Sequence, residues 1–465
     1  MSSFTTLITS TIGESRGVAR LWLEGQKLLR AGVKIGSSYS IRCNDSRIEL
    51  VPTVGSGQCF TVSKRERNGI VAPLLEIRSA ILRKVFATAE KVRVVIRMGR
   101  IIVTAIDKDV RTLERIDRIK TKICKGEPLA VCSLFHGGGV LDRAIHSGLL
   151  RSGVGSFVQV GVELESQYLD SSLRNNPMLW TDQSIAICSD IRDVRRSIDI
   201  PKCEIVVAGI PCTGASRSGK AKRKLKATEE HPTAGDLFMD FVDFVRYSNP
   251  AIAIIENVPD YLTSTSMMTI RARLTSLGYM LFECILRGSE FGALEDRQRM
   301  AVVAYTRDAM EHLTFEDIVP VKAKEPTLGT VLEDLPLDDE RWQAYDYLRD
   351  KAVRDLAEGK GFARQILGPD AEICGCIGRG YAKARSTEPF IRHPVDPELS
   401  RLMTRGEHAS VKTIPLEMVH GVSDTIAHEI LGQSVIYAAF EALAKAVGMM
   451  VMRALSRSST NYRVA

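Results

Sequence analysis

No stretch of this sequence stays apolar for the roughly 18 residues that a bilayer-spanning helix needs. The nearest, Ser434 to Leu455, is broken by Glu441 and Lys445, so no membrane partner is expected. The opening residues, MSSFTTLITSTIGESR, lack the basic segment and apolar core of a secretory signal. The ten cysteines contain no C-x-x-C pair; only Cys374 and Cys376 are close-spaced, with His393 the nearest histidine. Neither the paired clusters of a zinc site nor a disulfide framework is present. No metal is expected, and the thiols are expected to stay reduced in a cytoplasmic protein. Acidic residues are scarce at one end only. Residues 1–125 hold 24 Lys and Arg against 11 Asp and Glu, and the remainder holds 39 against 45. A basic N-terminal quarter points to a polyanionic partner, nucleic acid first.

The chain has 465 residues, 45% hydrophobic and 26% charged, enough for several domains with a large core. Residues 1–105 read as a basic, hairpin-rich β module with possible DNA binding. YSIRCNDSRIELVP alternates apolar and polar residues on both sides of an Asn-Asp-Ser turn. KVRVVIRMGRIIVTA repeats the design around Met98-Gly99, and each hairpin follows an apolar stretch, LWLEGQKLLRAGVKIG or LLEIRSAILRKVFATAE. Two similar halves predict a duplicated hairpin barrel. About thirty residues of the first half resemble the hairpins of SymE-type toxins and AbrB-like swapped-hairpin barrels, many of which bind DNA. Residues 106–127 read as a charged linker helix.

From Pro128 the pattern changes. LAVCSLF, FVQVGVEL, SIAICSD, EIVVAGIP, AIAIIENV, MLFECIL and MAVVAYT alternate with helical stretches. Strands this apolar are expected to be buried on both faces, in an α/β domain with a mostly parallel sheet. In such sheets ligands bind at the carboxyl ends of the strands. Residues 311–395 lose the rhythm and read as an inserted module; residues 396–465 return to helical periodicity, with a long apolar helix after Gly432.

The polar motifs fall at those strand ends. The first strand runs into Ser133-Leu-Phe135-His-Gly137-Gly-Gly139, a glycine turn that admits close backbone approach to a ligand. The second ends at Glu163 and the third at Asp190-Ile191. One such acid alone is more often a helix N-cap. Three successive strand ends with these motifs point to a nucleoside-type cofactor, since a carboxylate accepts two hydroxyls or an amine. The fourth strand delivers Pro211-Cys212 and the fifth Glu256-Asn257. A glutamate after AIAII needs a partner or a raised pKa. A thiol and a carboxyl at neighbouring strand ends form a candidate nucleophile and acid.

Pro211-Cys212 with Ser216, followed by Glu256-Asn257-Val258, resembles the motifs of the cytosine-5 DNA methyltransferase family. The remaining order is similar too: SLFHGGGVLDRAIHSG as the cofactor loop, GDLFMDFVDFVRYSNP as the helix before the Glu-Asn-Val strand, and LEDRQRMAVVA as the Gln-x-Arg-x-Arg segment, carrying Arg297 and Arg299. RLMTRGEHASVKTIP, with Arg401, and LGQSVIYAAFEAL, with Ser434, look like the closing motifs. The resemblance covers residues 128–310 and 396–450, about half the chain. Four places depart from it: Ser133 stands for the usual Asp, Thr213-Gly-Ala-Ser216 for Gln-Pro-Phe-Ser, Glu295 for Gln and Gln433 for the frequent Asn.

The resemblance implies a Rossmann-like methyltransferase over residues 128–310, a target-recognition region over 311–395 and a return to the catalytic domain over 396–465. It implies S-adenosylmethionine held by Phe135, Gly137, Gly139, Glu163, Asp190, Ile191, Pro211 and Ser434. Cys212 would add to the base as nucleophile, with Glu256, Arg297 and Arg299 completing the catalytic set. Double-stranded DNA would meet Ser216, Arg217, Lys220 and Arg401. A companion restriction endonuclease and a bacterial, phage or plasmid setting fit the same reading, with a monomer, or a dimer through the N-terminal module. The rival readings are an RNA cytosine-5 methyltransferase of this fold and a DNA-binding relative that has lost catalysis.

Overall fold

The computed structural model describes residues 4–44, 46–54, 59–87, 89–197, 199–211, 235–307, 310–359 and 364–461, apart from the side chains of 195–197 and 455–461. The chain divides into two compact units, Met1–Glu114 and Arg115–Ala465.

In the first unit, alternating sequence makes strands with one buried face. The strands are β1 (Thr5–Ser15), β2 (Val18–Glu24), β3 (Ser38–Cys43), β4 (Arg47–Thr53), β5 (Cys59–Thr61), β6 (Ser63–Arg67), β7 (Ile70–Arg78), β8 (Lys91–Arg97) and β9 (Arg100–Ala105). Within β8, Val92, Val94 and Ile96 are buried while Lys91, Arg93 and Arg97 face out. A short helix follows β2 (Gln26–Arg30) and another follows β7 (Ile81–Phe86), each burying a leucine, Leu28 or Leu82. The plan hairpin, helix, hairpin thus occurs twice, as β1–β4 and as β6–β9. Arg16-Gly17 and Asn68-Gly69 turn the first hairpin of each copy; all four residues have positive φ, the backbone of a type I′ turn. The sheet order is β5-β3-β4-β9-β8-β1-β2-β7-β6. Exchanging each strand for its counterpart in the other copy leaves the circular order of the eight repeated strands unchanged. Its two ends, β5 and β6, are separated in the chain by Val62 alone.

The second unit is built on seven strands: β10 (Leu129–Leu134), β11 (Ser156–Glu163), β12 (Ile185–Cys188), β13 (Ile205–Gly209), β14 (Ile252–Asn257), β15 (Tyr279–Arg287) and β16 (Gln298–Thr306). They lie in the order β12-β11-β10-β13-β14-β16-β15. The first five pair in parallel, and β16 runs antiparallel to both β14 and β15. The chain steps outward from β10 to β12 and then returns to β13, so the order reverses between β10 and β13. Every residue of β10 is buried, as its apolar run predicts. The two edge strands are the exceptions and correct the expectation for SIAICSD and MLFECIL. Each has one neighbour; β12 leaves Ile185, Ala186 and Cys188 exposed, and β15 leaves Ile285 exposed with Met280, Leu281, Phe282 and Cys284 half-buried.

Helices cover this sheet. The long C-terminal helix (Tyr437–Asn461) packs along Val140–Arg151, with Arg151 Nε 2.7 Å from Glu441 and Ser147 Oγ 2.6 Å from the Tyr437 hydroxyl. That pairing satisfies Glu441, one of the charges that interrupt the apolar stretch. Among the described residues no single helix is long and apolar enough to cross a membrane. Within this unit Arg115 is fully buried on helix Asp107–Cys124. Its Nε donates to Asn249 Oδ1 (2.9 Å) and its guanidinium lies 4.0 Å from the Tyr279 ring centre. One turn on, Arg118 pairs with buried Glu204 at 2.9 Å. Residues 311–395 hold helix Asp346–Ala357 and strands β17 (Gln365–Leu367) and β18 (Pro389–Arg392), which join β19 (Ser400–Arg401) in a small sheet.

Candidate active site

The glycine turn after β10 is held by a buried polar cluster. His136 Nδ1 lies 2.9 Å from Ser133 Oγ and 3.0 Å from Asp142 Oδ2, while its Nε2 lies 2.7 Å from Ser172 Oγ. Ser133 is therefore an internal strut that orients His136. Phe135, Gly137 and Gly139 all have positive φ, and a Cβ on Gly139 would stand 2.6 Å from Ser172 Oγ. The cluster thus requires glycine there on both conformational and steric grounds.

Glu163, at the end of β11, fastens the same turn. Its Oε2 accepts the Gly137 amide at 2.6 Å and its Oε1 the Glu165 amide at 2.9 Å. Asp190, after β12, is about one-third exposed. It accepts the Arg192 amide at 3.0 Å and pairs with the Arg192 guanidinium at 3.0 Å. Ile191 beside it is buried, in the apolar cluster that includes Leu134 and Val162.

On the other side of the switch point, β13 and β14 set Gly209 opposite Glu256. The Glu256 carboxyl lies against Gly209, close to the Phe135 carbonyl: a Cβ on Gly209 would be 3.4 Å from the first and 3.9 Å from the second. Asn257 donates to the Ile210 carbonyl at 3.0 Å and so pins the exit of β13 just before Pro211. Cys212, Ser216, Arg217 and Lys220, expected on this exit, lie outside the described residues.

The chain entering β16 brings two arginines to two different carboxylates. Arg299 Nε lies 2.9 Å from Glu256 Oε1, with both side chains about 15% exposed or less. Burial raises the Glu256 pKa; the nearby Arg299, Arg297 and Lys412 oppose the shift without cancelling it. Arg297 turns inward, its Nε 2.7 Å from Glu295 Oε1, and also donates to the carbonyls of Ile377 and Gly432. Burial would raise Glu295 as well, but Arg297, Lys412 and the Ile377 amide together hold it below the usual range.

Lys412 is the residue the sequence did not single out. It is fully buried, 3.5 Å from Glu295 Oε2, and donates to the Ser434 carbonyl at 3.2 Å. Burial, then the neighbouring Arg297, bring its pKa down to about 7. The one signal in the sequence was Glu295 itself, an acid where the resemblance expects an amide. Ser434 closes helix Asp424–Gln433, its hydroxyl on the Leu431 carbonyl at 2.7 Å. Arg401 is 2% exposed and gives both terminal nitrogens to Glu407, at 2.6 and 2.7 Å, above the Trp342 ring. A DNA contact from Arg401 would first have to break that pair.

The geometry therefore joins Phe135, Gly137, Gly139 and Glu163 around one turn, and Gly209, Glu256 and Arg299 at the next strand ends. Arg297, Ser434 and Lys412 form a braced layer around Glu295.

Comparison with known proteins gives the family. The sequence pattern of C-5 cytosine-specific DNA methylases matches residues 178–449, which begins after the glycine turn and Glu163. Type II methyltransferase M.SsoII of Shigella sonnei is 28% identical over 260 residues, 54% of this chain and 65% of that protein. Type II methyltransferase M1.ScrFI of Lactococcus lactis subsp. cremoris is 28% identical over 255 residues, 53% and 62% of the two chains. The match thus spans slightly less than two thirds of either relative. The crystal structure of S. pombe Dnmt2 methyltransferase shares the fold, with a TM-score of 0.55 at 18% identity over 70% of this chain and 99% of that one. With more than half its length matched by the family pattern, the chain belongs to the C-5 cytosine-specific DNA methylase family.

Proposed function

We propose that this protein methylates carbon 5 of a cytosine flipped out of duplex DNA, with Cys212 as nucleophile and S-adenosylmethionine as donor. The observation that carries the proposal is Glu256. It is a largely buried carboxyl with a raised pKa, 2.9 Å from Arg299, in register with Gly209, three residues before Cys212.

Carbon 5 of cytosine is a poor nucleophile. Addition of the Cys212 thiolate to carbon 6 forms a sulfur–carbon bond and moves electron density onto the ring. A carboxyl that keeps its proton can donate it toward ring nitrogen 3, and the Arg299 cation beside it can take the ring oxygen. Once carbon 5 carries the methyl group, loss of its proton to a base expels the thiolate and restores the ring. Arg297 serves this site from behind, through Glu295 and the loop at Ile377.

The residues present fit the donor. The two Glu163 oxygens each accept one amide and retain a lone pair for a ribose hydroxyl. Asp190 keeps one-third exposure, enough to accept an amine. Phe135, Gly137, Gly139, Ile191, Pro211 and Ser434 complete the proposed set. When bound, the cofactor supplies a methyl group on a positively charged sulfur. Ser216, Arg217 and Lys220 are assigned to the DNA backbone and residues 311–395 to base reading.

Bisulfite sequencing of DNA from cells expressing the protein tests this reading. Protected cytosines in one recurring sequence are expected. Complete conversion, or methyl transfer to RNA alone, overturns it.

A further inference from the structure

The N-terminal unit presents two outer faces of different charge. Around β2, β7 and β6 four arginines are each paired with a carboxylate, two to each glutamate. Arg20 and Arg78 lie 3.8 and 2.9 Å from Glu76, and Arg65 and Arg67 lie 2.9 and 3.6 Å from Glu24. Trp22 sits between them, with the Arg20 and Arg65 guanidinium groups 4.7 and 5.0 Å from its ring centre.

The face made by β1, β8, β9, β4 and β3 is different. Strand register sets Thr5, Arg97 and Arg100 in one row across it, and Thr9, Arg93, Thr104 and Arg47 in another. Lys91 stands opposite Thr11, and Arg42 opposite Glu49. Six cations therefore share this face with one carboxylate, Glu49, which serves Arg47 and Arg100. Arg42, Lys91, Arg93 and Arg97 are exposed and have no carboxylate partner among the described residues. Arg97 and Arg100 face each other directly across the hairpin, a like-charge pair that costs stability in the absence of an anion.

We propose that this face binds the phosphate backbone of duplex DNA, separately from the catalytic site. Charge complementarity selects a polyanion. The six steps of β8 and the four gaps between five strands each span about 20 Å. Duplex DNA carries one charge per about 1.7 Å of axis, so about 20 Å of duplex carries about a dozen phosphates, of which those on the near side meet the face. Between the basic rows run Leu7, Val95 and Ile102, which are aliphatic. Single-strand binding relies on rings that stack on bases, and these rows offer none. The binding is therefore to the backbone and independent of sequence.

The test uses the full-length protein and a fluorescent 30-base-pair duplex of arbitrary sequence, titrated by anisotropy at several salt concentrations. One variant carries Arg42→Gln, Lys91→Gln, Arg93→Gln and Arg97→Gln. A second, matched in charge change, carries Arg20→Gln, Arg65→Gln, Arg67→Gln and Arg78→Gln. The first is expected to weaken binding more than tenfold and to lower the salt slope by about 4, about one unit per lost phosphate contact. The second is expected to leave the slope unchanged, and Arg42→Lys, Arg93→Lys and Arg97→Lys together are expected to retain binding, which excludes a folding defect. Equal losses in the two Gln variants, or none in the first, overturn the proposal. So does tighter binding of duplex RNA or polyglutamate than of duplex DNA through these four side chains. The readout is binding, so an absence of methyl transfer would leave the proposal standing.

Discussion

Glu256 and Glu295 each meet an arginine from the same short segment, Arg299 and Arg297, yet their environments differ in kind. Glu256 has one close cation and a pKa raised by burial. Glu295 has two cations and a backbone amide, which overcome burial and lower it. Strand alternation would put residues two apart on one side; the split arises because Glu295 and Arg297 precede the strand proper, which begins at Gln298. Arg299 stays with Glu256 at the strand ends, and Arg297 braces the frame around Glu295.

Loss of each carboxyl should therefore be felt in a different measurement. Glu256→Ala is expected to lower kcat by about 10²- to 10⁴-fold, the usual range for a proton donor, with a smaller loss of stability than Glu295→Ala, since a single cation is left behind. A drop in stability comparable to that of a Glu295 variant would erase the distinction. Glu295→Ala is expected to cost about 3–5 kcal/mol in denaturant unfolding, because two buried cations lose their anion. Normal stability would show that Lys412 and Arg297 do not depend on it. Adding Lys412→Met to Glu295→Gln should recover about 0.5–3 kcal/mol of the single variant's loss, the range of coupling between touching groups. Strict additivity would argue against a shared site.

Two pH effects separate the pairs further. If protonated Glu256 donates to the base, its raised pKa extends activity upward, and kcat should fall as pH rises through that pKa. Glu256→Gln, which keeps a donor, should lose this limb; an unchanged profile would assign it to another group. Lys412 affects stability instead. Between pH about 7 and its ordinary 10.5, the unfolded chain holds a proton that the folded chain has released. Stability from this group therefore increases with pH across that window. Urea unfolding at pH 7 and pH 9 should show the rise, and Lys412→Met should reduce it.

Much of this arrangement could be read in advance. β-branched runs closed by Gly or an acid located the strand ends, and with them Glu163, Asp190, Glu256 and the turn at Gly137. The second hairpin of each copy was visible because alternation around a short turn is a local signal; the first hairpins, turned at Arg16-Gly17 and Asn68-Gly69, were not singled out. Lys412 was not visible: in HASVKTIP it resembles any lysine at the end of a helix, and only packing from distant segments buries it. Arg401 misled for the same reason, since its partner Glu407 looks from sequence like a solvated acid. The exposure of β12 depended on its place at the sheet edge, which no residue in SIAICSD encodes.

The repeated plan of the N-terminal unit has an evolutionary consequence. In a symmetric homodimer every substitution occurs twice, so equivalent surfaces must remain identical. Joining the two copies in one chain removes that constraint. Asn68 and Arg16 already occupy equivalent turns with different chemistry. A gene in this state can alter one copy's hairpin while the other preserves the sheet, and each half is free to acquire a separate task.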